Sequence, residues 1–79
     1  MTAIKNYDTG LTPEVEAEIL RTAYEYGMDG WKEYEGSVDW DEVVSDLESE
    51  ERPLPSDWDH PFLKAIKGQY RRGKKEARG

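Results

Sequence analysis

The residues of this chain that could do chemistry are nearly all carboxylic acids, with a single histidine among them. Of 79 residues, 18 are Asp or Glu, one is His and none is Cys. His60 follows Asp57 and Asp59 in an Asp-x-Asp-His cluster. Nucleophilic catalysis needs a nucleophile, a base and an orienting group. Because His60 stands beside a proline at a predicted helix start, we interpret it as a capping or surface residue and predict no catalytic residue and no enzyme.

Metal and phosphate sites follow spacing rules that this sequence does not satisfy. A calcium-binding EF-hand loop needs oxygen ligands at alternate positions and a glycine at its sixth position. Counted from Asp39, the fifth and sixth residues are Val43 and Val44. None of the scattered glycines opens a helix in the pattern of a phosphate-binding loop. The sequence therefore predicts no metal ligand and no cofactor.

Charge is unevenly distributed along the chain. Residues 1–63 carry 17 acidic and four basic side chains, a net charge of −13, whereas residues 64–79 carry seven basic side chains and one acidic, a net charge of +6. No apolar run approaches the roughly 18 residues that a membrane span needs, and residues 1–10 have no signal-peptide core. We therefore expect a cytoplasmic protein that does not enter a membrane.

A first helix is predicted to follow Thr12, which is a suitable N-cap residue with Pro13 at the first helical position. Apolar residues recur on one face at helical spacing: Val15, Ile19, Leu20, Ala23 and Tyr26. Gly27 predicts the end of this helix. The alternative is that the helix continues, bent, to about Tyr34, because glycine costs only about 1 kcal/mol at a helical position.

A second helix has signals at both ends. Asp39 and Glu42 form a capping-box pattern, and Pro53 places the end at or before Arg52. Its predicted apolar stripe consists of Trp40, Val43, Val44 and Leu47.

A third helix is predicted to begin near residues 59–60, with Pro61 in its first turn. Its apolar stripe consists of Phe62, Leu63, Ile66 and Tyr70. Since Gly68 and Gly73 weaken this helix, we expect it to fray beyond about Arg72.

These elements predict an all-α fold, a small bundle or orthogonal arrangement of about three helices with a frayed basic C-terminal tail. Residues 1–72 would form a single small helical domain and residues 73–79 a flexible basic tail. The tripeptide Asp-Trp-Asp occurs at 39–41 and at 57–59, both predicted helix starts. We interpret the two copies as residues that favour the start of a helix, and not as an internal repeat. With so few core residues, a homodimer is a further expectation.

Rows of carboxylates on the first two helices predict the main function, which is to bind a basic partner protein. Such rows steer the encounter with a basic surface and add specificity. The protein would then be a small acidic interaction module of the kind found among inhibitors, antitoxins and nucleic-acid mimics. The residues expected to contact the partner are Glu14, Glu18, Glu25, Asp39, Glu42, Asp46 and Glu50.

The basic C-terminal segment supports two other interpretations. Basic residues at a helix C-terminus complement the helix dipole, so the segment could simply complete the fold. Alternatively, the chain is a nucleic-acid-associated accessory protein that uses Lys64, Lys67, Tyr70, Arg71, Arg72, Lys74 and Lys75. A third hypothesis is a non-catalytic regulatory subunit, which a pocket lined by Trp31, Trp40 and Trp58 would suggest.

Overall fold

A computed structural model of the protein describes Tyr7, residues 9–32 and residues 35–79. In these segments it contains the α-helices α1 (Pro13–Asp29), α2 (Trp40–Leu47) and α3 (Pro61–Arg78), with a 3₁₀ helix at Glu35–Ser37. The helices α1 and α3 pack extensively against each other, and α2 packs less extensively against α1. The predicted all-α fold of about three helices is confirmed.

Each α-helix begins at a side-chain cap that the sequence indicates. The cap accepts a hydrogen bond from a backbone N–H of the first turn, which would otherwise lack a partner. The acceptor and donor residues are Thr12 and Val15 at 3.2 Å, Asp39 and Glu42 at 3.3 Å, and His60 and Phe62 at 3.0 Å. The histidine is therefore a helix cap, with Pro61 in the first turn of α3.

The core lies between α1 and α3, which run in the same general direction. At one end, the ring of Phe62 lies 5.3 Å from the ring of Tyr7, whose backbone N–H donates to Glu16 in the first turn of α1. At the other end, Gly73 lies against the backbone of Tyr24. The buried apolar side chains are Ile19, Ala23, Leu47, Leu54, Phe62, Leu63, Ile66 and Tyr70.

Two glycines allow the backbones of α1 and α3 to touch. A Cβ atom on Gly27 would collide with the carbonyl of Tyr70, and one on Gly73 would collide with the carbonyl of Tyr24. Only glycine has no side chain to obstruct so close an approach. Packing between the helices therefore outweighs the low helix propensity of glycine at both positions.

These contacts correct two predicted helix ends. The prediction that Gly27 ends the first helix is wrong, because α1 continues to Asp29. Tyr34, the end of the alternative longer helix, lies outside the described residues. The fraying expected beyond Arg72 is also wrong, because α3 continues to Arg78. The segment predicted as a frayed tail is thus the last part of α3.

The end of α2 lies at Leu47, short of the limit set by Pro53. Ser49 and Arg52 exchange two backbone hydrogen bonds, of 3.3 and 3.0 Å, which close a turn. The carboxylate of Glu48 accepts a 3.0 Å hydrogen bond from the backbone N–H of Leu54. The chain therefore folds back on itself directly after α2, which buries Leu54.

Candidate partner-binding surfaces

An acidic cleft of about 300 Å³ lies between the end of α1, the start of α2 and Tyr70 of α3. Four exposed carboxylates line it, those of Asp29, Asp39, Glu42 and Asp46. Three of them are among the residues predicted to contact a partner. The remaining lining residues are Tyr26, Gly30, Val38, Val43 and Tyr70. We call this feature the acidic cleft.

The start of α2 fixes the positions of these carboxylates. Asp39 caps the helix, so its side chain is tied to the backbone N–H of Glu42. Glu42 and Asp46 are one helical turn apart and share a face of α2. Asp29 is the last residue of α1, and Gly30 caps that helix. The cleft is thus formed where the end of one helix meets the start of another.

The chemistry of the acidic cleft suits a positively charged group larger than a metal ion. Within the described part of the chain, no cluster of three or more His, Asp or Glu side chains is placed to hold a metal ion. The carboxylates therefore surround the cleft without converging on one point. Tyr26 adds a half-buried aromatic ring to the lining, and ammonium and guanidinium groups are attracted to such rings. The arrangement fits the side chain of an arginine or a lysine.

The predicted carboxylates of α1 form a separate row, Glu14, Glu18 and Glu25, which we call the α1 acid row. These residues are exposed, on the side of α1 opposite the buried Ile19 and Ala23. Two of them have basic neighbours. Glu18 lies 2.8 Å from the guanidinium of Arg52, and Glu25 lies 3.7 Å from that of Arg21.

Two further acids lie outside the acidic cleft and the α1 acid row. Glu50 lies in the turn between Ser49 and Arg52, so it does not continue the carboxylate row of α2. Its expected place on that face is wrong because α2 ends before it. Glu16 is 1% exposed, and its carboxylate accepts hydrogen bonds from the backbone N–H of Tyr7 and the hydroxyl of Thr9.

The residues of α3 predicted to contact nucleic acid differ in exposure, and Lys67 among them is half-buried. Lys64, Arg71, Arg72 and Lys75 are exposed on α3 around Gly68, and we call them the basic patch. Lys74 is 8% exposed and Tyr70 is 5% exposed. Both were expected to contact nucleic acid, but their burial removes them from the surface, because they lie on the side of α3 that packs into the fold.

The two Asp-Trp-Asp tripeptides meet at one lysine. The ammonium group of Lys67 lies 5.5 Å from the ring centroid of Trp40 and 4.7 Å from that of Trp58. Trp40 also packs edge-to-face on Tyr70, with their centroids 5.2 Å apart, and the guanidinium of Arg71 lies 5.5 Å from its centroid. The sequence interpretation missed this cluster, for which the repeated tripeptide was the available signal.

Comparisons with known proteins add no relative. No protein-family model, curated protein or solved structure matches this chain. In the part of the chain that the structure describes, no helix is long and apolar enough to cross a membrane. The case for a function therefore depends on the surfaces themselves.

Proposed function

We propose that this chain is a non-catalytic interaction module that binds a basic segment of a partner protein in the acidic cleft. The main support is the grouping of Asp39, Glu42 and Asp46 with Asp29 around one cleft. The partner contributes an arginine or lysine side chain, which enters between the carboxylates and packs against Tyr26. The α1 acid row lies outside this contact.

The carboxylates act mainly on the encounter and on the choice of partner. Charged groups at the rim of an interface raise the association rate and disfavour acidic competitors more than they add affinity. A cation over an exposed aromatic ring contributes about 0.5–1 kcal/mol, and more once water is excluded. Val38 and Val43 provide the apolar surface that packs against the methylene groups of the partner's side chain.

An inhibitor or a nucleic-acid mimic is the form of this module that the cleft favours. A basic groove that normally binds phosphates would present arginine and lysine side chains to the spaced carboxylates of α2. The regulatory-subunit hypothesis has less support. Trp40 and Trp58 meet at Lys67, whereas Trp31 contacts Lys32, whose ammonium lies 5.6 Å from its ring centroid.

Two triple variants with the same change in net charge test the proposal. The first is Asp29→Asn/Glu42→Gln/Asp46→Asn, which neutralises the acidic cleft and leaves the Asp39 cap in place. The second is Glu14→Gln/Glu18→Gln/Glu25→Gln, which neutralises the α1 acid row. Both are compared with the parent protein in affinity capture from a nuclease-treated cell lysate, with elution by increasing salt.

We expect the cleft variant to lose its basic partner protein and the row variant to retain it. Loss of one rim charge typically lowers affinity several-fold, so three losses should reduce capture at least tenfold. Circular dichroism of each variant confirms that the helices persist. If both variants capture the same proteins as the parent, or lose them equally, the acidic cleft is not the binding site.

A further inference from the structure

Gly68 lies at an exposed position inside α3 where packing does not require a glycine. A Cβ atom there would meet nothing within 4 Å, whereas Cβ atoms on Gly27 and Gly73 would collide with the neighbouring helix. Glycine is disfavoured in a helix interior relative to almost every other residue. Packing within the fold therefore does not account for the glycine, and the bare backbone at Gly68 allows close approach of a ligand to the helix.

The basic patch surrounds this bare stretch of helix. Residues three, four and seven positions away are the neighbours of a residue on a helix surface. For Gly68 these neighbours include Lys64, Arg71, Arg72 and Lys75, all of them exposed. At 1.5 Å per residue the patch extends about 16 Å along the helix. A negatively charged group could touch the backbone at Gly68 and have four cations around it.

We propose that the basic patch binds the phosphate backbone of a single-stranded nucleic acid, with Trp58 stacking on a base. Trp58 is 36% exposed, and its ring lies 4.7 Å from the ammonium of Lys67. Lys67 precedes Gly68 and lies one turn from both Lys64 and Arg71, so Trp58 stands at the edge of the patch. A basic surface that follows the backbone, next to an exposed aromatic ring, is how single strands are bound without sequence preference.

One feature of the molecule favours a nucleic acid over an anionic membrane, and a second limits the repulsion that either anion would meet. The apolar face of α3 is buried, with Phe62 and Ile66 both 0% exposed, so it is not available to enter a lipid surface. The α1 acid row points away from α3, because the opposite side of α1 packs against α3. Its repulsion of a strand on α3 is reduced by distance and by salt, which screens charges over about 8 Å in physiological conditions.

Fluorescence anisotropy with a labelled thymidine oligomer of about 12 nucleotides tests this proposal at a series of salt concentrations. Four phosphate contacts on a single strand predict that log K falls with log salt with a slope of about −3. The variant Lys64→Gln/Lys75→Gln should weaken binding and make the slope less steep by about 1.4. Its matched control is Arg21→Gln/Lys32→Gln, two exposed bases outside α3 that should leave the slope unchanged.

Gly68→Gln separates a binding role from a structural one. Glutamine favours a helix more than glycine does, so this variant should raise the unfolding temperature. Its side chain covers the bare backbone, so it should also weaken binding of the oligomer by severalfold. Trp58→Ala should weaken binding by about tenfold or more, whereas Trp31→Ala, at a residue of similar exposure, should have little effect.

The proposal is overturned if the parent protein does not bind the oligomer at low salt, or if both charge variants reduce the slope equally. It is also overturned if vesicles of anionic lipid bind and the oligomer does not, or if Trp58→Ala and Trp31→Ala behave alike. The neutralised cleft variant should bind the oligomer at least as well as the parent. Failure of the acidic cleft as a protein-binding site would therefore not affect this result.

Discussion

At the scale of single residues, Glu16 shows that a carboxylate can belong to the buried face of a helix. It stands in an acidic first turn, next to exposed Glu14, yet it is 1% exposed. The hydroxyl of Thr9 donates to its carboxylate at 2.7 Å, and the backbone N–H of Tyr7 donates at 3.2 Å. Thr9 in turn accepts from the N–H of Leu11 at 3.1 Å. Glu16 therefore holds the segment before α1 against the core.

Replacing this carboxylate should destabilise the protein. In Glu16→Ala, the donors on Tyr7 and Thr9 lose a charged acceptor, and each such hydrogen bond contributes about 1.5–3 kcal/mol. Because the donors regain some contact with water, we expect a net loss of about 2 kcal/mol in the free energy of unfolding, measured by urea denaturation.

Glu14→Ala is the matched control, since Glu14 is an exposed acid in the same turn. It should change the free energy of unfolding by less than about 0.5 kcal/mol. Equal effects of the two substitutions would show that the hydrogen bonds of Glu16 do not stabilise the fold.

At the scale of helices, three glycines lie inside α1 and α3, and replacing them with alanine should change stability in opposite directions according to their contacts. Gly73→Ala places a methyl group against the carbonyl of Tyr24, so the helices must separate. We expect a loss of about 2 kcal/mol or more, because overpacking outweighs the gain in helix propensity. Gly68→Ala meets no neighbouring atom and should stabilise the protein by up to about 1 kcal/mol.

Thermal unfolding followed by circular dichroism measures both substitutions. For a domain of this size, 1 kcal/mol corresponds to a shift of about 4–8 °C in Tm. Gly27→Ala should behave like Gly73→Ala, since its methyl group would meet the carbonyl of Tyr70. Two shifts of the same sign at Gly68 and Gly73 would contradict the close contact between α1 and α3.

Local sequence patterns predict where these helices begin but not where they end. Thr12, Asp39 and His60 are caps whose role depends on residues within one turn, so spacing alone reveals them. The roles of Gly27 and Gly73 depend on a helix more than 40 positions away in the chain. A local pattern contains no information on such a contact, and both glycines therefore resemble helix ends.

The acidic cleft is also predictable only in part, because some of its residues are neighbours on one helix and others meet through contacts between helices. Asp39, Glu42 and Asp46 share a helix, so their spacing brings them together. Asp29 joins them only because α1 ends beside the start of α2, which the sequence pattern does not show. Glu50 follows Asp46 at helical spacing, but it does not lie on α2, because the turn that starts at Ser49 begins before it.

At the scale of the whole molecule, the fold places most of the basic side chains on a different element from most of the acidic ones. The chain has a net charge of −7, yet its bases are concentrated in α3 and its acids on α1, on α2 and in the turn after α2. The cations of Lys67 and Arg71 lie near the ring of Trp40, which connects the basic helix to the start of α2. If both proposed surfaces bind, we predict that one molecule takes a basic partner protein and a nucleic acid at the same time. Homodimerisation stays a prediction.

The central claim is that the acidic cleft binds basic side chains, and amide chemical-shift mapping on the isotope-labelled protein tests it most directly. The probe is a short arginine-rich peptide, and its control is the same peptide with glutamine in place of every arginine. We predict shifts concentrated at residues 26–30, 38–46 and 70, which disappear with the glutamine peptide. Shifts spread along Glu14, Glu18 and Glu25, or no shifts at the cleft, would contradict the proposed function.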